Sequence, residues 1–144
     1  MLPSAQIAEL LTEEVTNMEN SCTSGSKVLL YSCSGAANTG YLADQIARKL
    51  FADGVGKMTC LAAVGTGNSG FIEAARTADL VVVIDGCPVS CGKQIMDKLG
   101  IRQLHVATTD IGIEKGKTAI TADVIDNVTE KVRTLICDEL KRVK

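Results

Sequence analysis

The run Leu80-Val81-Val82-Val83-Ile84 constrains the fold more than any other stretch of the chain. It is apolar without alternation, so as a strand it must be covered on both faces. That is the environment of a parallel strand between two layers of helices. Val28-Leu29-Leu30-Tyr31 has the same character, Met58 to Val64 reads as a weaker strand, and Leu104 to Thr108 reads as a fourth. Helical patterns fall between them. Asn38 or Thr39 can cap a helix bearing Leu42, Ile46 and Leu50, which Gly54 can end. Ser69 can cap a short helix through Ala75. Cys91 to Leu99 reads as a helix closed by Gly100, and Thr121 caps a last helix bearing Ile125, Val128, Val132, Leu135 and Ile136.

Strands alternating with helices predict an α/β fold, with right-handed crossovers and helices on both faces of a parallel sheet. The expected architecture is a small doubly wound (Rossmann/flavodoxin-like) four-stranded sheet of order 2-1-3-4. Its crevice lies where the first and third strands part. Ahead of it, Ile7, Leu10, Leu11, Val15 and Met18 recur at helical spacing, and residues 20–26 have linker chemistry. Residues 1–26 therefore read as an extra N-terminal amphipathic helix and linker, and residues 27–144 as the domain. The apolar stripe of that helix is expected to dock on the domain itself, with a homodimer contact or an unknown protein partner as the alternative.

A chain of 144 residues with 46% hydrophobic and 22% charged residues can bury a core without staples. The formal net charge is −2 and the basic residues are dispersed, so a nucleic-acid-binding face is not expected. The longest apolar stretch, Ala78 to Ile84, is interrupted by Asp79 and is too short to span a bilayer. No secretory pattern opens the chain, and a cytoplasmic location is expected. In a reducing compartment the six cysteines are expected as ligands, reactive thiols or core residues rather than disulfides.

Cysteine placement carries most of the functional information. Cys33 follows the first strand, Cys60 lies in the second, and Cys87 and Cys91 follow the third. All carboxyl strand ends of a parallel sheet lie along one edge, so these thiols meet at the crevice. Strands about 4.8 Å apart with short loops allow sulfurs from three of them to reach one ion, for which zinc is the expectation. An iron–sulfur cluster suits the same donors. Pro88 keeps Cys87 outside a regular helix, whereas Ser90 as N-cap would put Cys91 in the first turn, where the helix dipole favours a thiolate. Cys22 and Cys137 are expected to be remote from the site, an exposed thiol and a partly buried helix residue. His105, the one histidine, is expected to be structural or on the surface. Gly65, Gly67 and Gly70 formally match GxGxxG, but after a second strand, which argues against dinucleotide binding and for a glycine loop folding over the cysteine edge.

Three segments, Tyr31-Ser32-Cys33-Ser34-Gly35-Ala36, Lys57-Met58-Thr59-Cys60-Leu61-Ala62 and Ile84-Asp85-Gly86-Cys87-Pro88-Val89-Ser90-Cys91, resemble the DGC-domain family of small proteins described as zinc-binding. The turn Thr109 to Ile113 agrees too. The resemblance implies zinc held by Cys33, Cys60, Cys87 and Cys91, and it supplies no reaction. Asp85 and Asp110, at the ends of the third and fourth strands, are candidates for supporting carboxylates, with a turn-capping role for Asp85 as the alternative. Two functions compete. A closed four-thiolate site suits a metal-binding module or carrier, because catalytic zinc keeps an open position. The alternative is a thiol-based redox or sulfur-transfer enzyme using Cys91 or Cys87.

Overall fold

The computed structural model describes residues 22–144. The expected helix over residues 4–18 lies outside them. Four parallel strands form one sheet of order β2-β1-β3-β4, with β1 at Val28–Ser32, β2 at Lys57–Met58, β3 at Leu80–Asp85 and β4 at Leu104–Ala107. The helices between them are α1 (Asn38–Ala52), α2 (Leu61–Gly65), α3 (Ser69–Thr77) and α4 (Cys91–Lys98). A 3₁₀ turn (Thr108–Ile111) follows β4, and α5 (Ala122–Val143) closes the fold. The expected α/β architecture and strand order are those observed.

Side-chain alternation along the two central strands builds two cores. Val28 and Leu30 of β1, with Leu80, Val82 and Ile84 of β3, pack against Leu42, Ile46 and Leu50 of α1 and Val128, Val132, Ile136 and Leu140 of α5. Leu29, Tyr31, Val81 and Val83 face the other way, onto Val64, Ala75, Met96 and Ile101. Burial on both faces is why neither strand alternates in hydrophobicity.

Several boundaries differ from expectation for local reasons. The second strand stops at Met58, and Cys60 is instead the residue before α2, so its side chain is exposed. Helix α1 has Ala37 at its cap position and no side-chain cap, because Asn38 is engaged elsewhere. Asn68, one residue before Ser69, caps α3 through the Phe71 N–H. Thr121 does cap α5, through the Val124 N–H. Leu135 on α5 is exposed, and Leu140 continues the buried stripe in its place.

The cysteines expected to be ordinary thiols are not. Cys22 and Cys137 form a disulfide across a sequence separation of 115, with a Cα–Cα distance of 5.7 Å. Helix α5 returns its last turns to the amino edge of the sheet, where Arg102 meets Glu139 at 3.2 Å. The turn that leads into β1 lies at this same edge, with the Lys27 N–H held by Asp79 Oδ2 at 2.6 Å. The bond joins the start of the described chain to its last helix.

Cross-linking so long a loop restricts the unfolded chain, an effect of about 2–4 kcal/mol. Cys22→Ser should lose stability of that order in a denaturant titration without reductant, and nothing relative to the parent protein when excess dithiol is present. A variant as stable as the parent under non-reducing conditions would contradict the bond.

Candidate functional site

The carboxyl edge of the sheet is organised around the point where β1 and β3 part. The Cys33 N–H donates to the Ile84 carbonyl at 2.9 Å, which extends the β1–β3 pairing one residue past β1. The Gly86 N–H then donates to Cys33 Sγ at 3.2 Å, so the two cysteine-bearing loops are joined directly. A Cβ on Gly86 would lie 2.6 Å from Gly40 N and 2.7 Å from the Thr39 carbonyl carbon, and one on Gly40 would lie 2.9 Å from Gly35 N. Three backbone segments thus touch at contacts that no side chain permits. From below, the buried Thr108 hydroxyl donates to the Gly86 carbonyl at 3.0 Å.

Against this junction lies a cavity of about 290 Å³ lined by Cys33, Cys87 and Cys91, the Ser34–Ala37 loop, Leu61 and Lys115. Asn38 builds the Lys115 side of it. Its Nδ2 donates to the carbonyls of Glu114 at 3.0 Å and Thr118 at 2.9 Å, while its Oδ1 accepts from the Gly116 N–H at 2.7 Å. Three of the four expected cysteines therefore share one wall. Cys60 does not line the cavity, although Leu61 beside it does. The Gly65–Gly70 stretch connects α2 to α3 and takes no part in the lining, which corrects the expectation that it folds over the cysteines.

Cys91 opens α4, as expected, but Ser90 is not its cap. Ser90 adopts the left-handed conformation at φ 53° and makes no capping hydrogen bond. Such a backbone in a residue other than glycine costs about 1–3 kcal/mol and persists only where surrounding structure imposes it. Asp85 imposes it. Only 1% exposed at the end of β3, its Oδ1 accepts from the Gly92 N–H at 3.0 Å and its Oδ2 from the Lys93 N–H at 3.0 Å. These are two of the first-turn donors that a helix leaves unpaired. A third contact to Oδ2, at 2.9 Å, comes from His105 Nε2 on β4. The carboxylate can only accept, so Nε2 carries the hydrogen.

His105 is thus half-buried and engaged at the carboxyl end of β3, the structural rather than the surface alternative of its expected roles. Asp110 is exposed on the 3₁₀ turn and does not line the cavity.

Burial pushes the Cys33 thiol above its ordinary range. The hydrogen bond from Gly86 opposes this shift, and negative charge on Asp85, Cys87 and Cys91 adds to it. Among the described residues, no three cysteine, histidine, aspartate or glutamate side chains stand close enough together to hold one ion. The donor set fits a thiophilic metal in its chemistry, and holding one requires the sulfurs to turn toward a common point.

The sequence model of the DGC domain matches residues 29–132, which include all four of these cysteines. This chain belongs to the DGC-domain family. A relative of this DGC domain is the "Anaerobic and virulence modulator AnvM" of Pseudomonas aeruginosa, 31% identical over 88 residues that cover 60% of this chain and 67% of that protein. No solved structure matches the chain.

Two outcomes follow from this geometry. Gly86→Ala should cost about 1–3 kcal/mol of unfolding free energy, because the new methyl meets backbone that cannot give way. Wild-type stability would show that the loops are not packed as described. In the metal-free, reduced protein Cys33 should be alkylated more slowly than Cys91 near neutral pH and should gain on it as pH rises, since its raised pKa keeps it a thiol. Site-resolved mass spectrometry over a pH series reads both rates, and a Cys33 rate equal to that of Cys91 at neutral pH would contradict the burial effect.

Proposed function

We propose that this DGC domain binds a metal ion, in the first instance zinc, through the thiolates of Cys33, Cys60, Cys87 and Cys91. The observation that carries this reading is the convergence of Cys33, Cys87 and Cys91, from the loops after β1 and β3, on one cavity wall. Cys60 stands directly before Leu61 of that wall. A bound cation compensates the negative charge of the thiolates that ligate it. Sulfur donors without an oxygen or nitrogen ligand favour zinc or iron over hard cations. Four thiolates leave no open position, which suits a structural or carried metal rather than a catalytic one. The protein's part is to hold the four sulfurs and to fix the three loops that bear them.

The exposure of Cys91 at the first residue of α4, with Cys87 on the same wall, favours a second reading as a dithiol reagent. The Cys91 thiolate would attack one sulfur of a substrate disulfide and displace the other as a thiolate, which takes up a proton. Cys87 would then displace the bound half, leaving a Cys87–Cys91 disulfide and two reduced substrate thiols.

Metal analysis of untagged protein separates the readings. The metal site predicts about one zinc per chain, lost in Cys33→Ser, Cys60→Ser, Cys87→Ser and Cys91→Ser and retained in Cys22→Ser and Cys137→Ser. A brown, oxygen-sensitive preparation would replace zinc by an iron–sulfur cluster. Metal-free protein that reduces a disulfide and recovers as a Cys87–Cys91 disulfide would favour the dithiol reading.

A further inference from the structure

We propose that His105 is a positioning residue for the cysteine loop, acting through Asp85 on the backbone that carries Cys87 and Cys91. This deepens the metal-site reading and rests on it for its ligand, though not for its geometry.

Among the described residues, Asp85 is the side chain that supports the Gly92 and Lys93 N–H groups, as Ser90 supplies no capping bond. Its carboxylate has two side-chain torsions, and the two amides alone leave it free to tilt about the axis they define. His105 removes that freedom. Its Nε2 meets Oδ2, the oxygen that also takes the Lys93 N–H. In the sheet register His105 pairs with Val83, two residues before Asp85, and β alternation puts all three side chains on the α4 face. Packing adds to the restraint. A Cβ at Gly92 would meet Val83 Cγ1 at 2.6 Å and Asp85 Oδ1 at 3.0 Å, so the first turn of α4 lies directly on this pair. A shift of the carboxylate therefore displaces Cys91, which precedes Gly92, and the left-handed turn at Ser90 transmits it to Cys87.

Groups that orient metal-binding residues from behind influence affinity although they touch no metal. His105 stands further back than usual, since the carboxylate it orients holds backbone amides rather than a ligand side chain. Glutamine places an amide nitrogen close to the position of Nε2 and can donate the same bond, whereas alanine cannot.

The test compares wild type, His105→Ala and His105→Gln. In metal-free reduced protein, amide hydrogen exchange should quicken at Gly92 and Lys93 by about tenfold in His105→Ala, as the loss of one net hydrogen bond allows. The Val81–Ile84 amides of β3 should change less, which separates positioning from general destabilisation. Zinc affinity, measured by competition with a chromophoric chelator, should fall by roughly tenfold in His105→Ala, and both quantities should return toward wild type in His105→Gln. Uniform acceleration of all amides, or unchanged zinc affinity in His105→Ala, would overturn the proposal. Should His105→Ala fail to fold, His105→Gln decides: wild-type exchange and affinity support the donor role, and exchange at Gly92 and Lys93 that quickens there as well overturns it. A wild-type protein that takes up no zinc defeats the metal reading, while the exchange arm still decides the part played by His105.

Discussion

The cysteine site depends on the pairing of β1 with β3 at the centre of the sheet. Those strands run side by side for the whole of β1, and the Cys33 N–H to Ile84 carbonyl bond carries the pairing past its end. Their chains then turn to opposite layers, Cys33 toward α1 and Cys87 toward α4. This is the crevice that a change of winding direction creates in an open parallel sheet. Everything that converges there does so because the two loops begin at neighbouring hydrogen-bonded positions. Gly40 and Gly86 then allow the loops to close to backbone contact.

Polar groups complete what packing begins, and most of them act across a long sequence interval. Asp85 holds the start of α4 and is itself held by His105. Thr108 secures the Gly86 carbonyl, and Asn38 ties the Glu114–Thr118 loop to α1. All are at least partly buried, where a hydrogen bond left unmade is expensive. The site is thus a hydrogen-bonded frame of backbone beside a cavity that Cys33, Cys87 and Cys91 line.

The architecture is legible in the sequence because it rests on signals local to each element. Val81 to Ile84 can only be a strand covered on both faces, and Thr121 caps α5 from an adjacent position. The placement of Cys33, Cys87 and Cys91 follows from strand order alone. What the sequence hides is decided by distant partners. Ser90 has the chemistry of a cap, but the cap is Asp85, five residues earlier and on the strand. Asn38 could cap its own helix but bonds a loop 76–80 residues away. His105 gives no local signal within β4, since its partner lies on the neighbouring strand. For Cys22 and Cys137 an expected compartment argues for free thiols, whereas their bond depends on α5 returning to the amino edge of the sheet.

The central claim is that this edge gathers sulfur around a metal. X-ray absorption spectroscopy at the metal edge of the protein as isolated tests it most directly, because it counts the scatterers around the ion without reference to any variant. The account predicts a single shell of about four sulfurs at about 2.3 Å, the zinc–thiolate distance. A shell dominated by nitrogen or oxygen, or protein that carries no metal after zinc-replete expression, would contradict it.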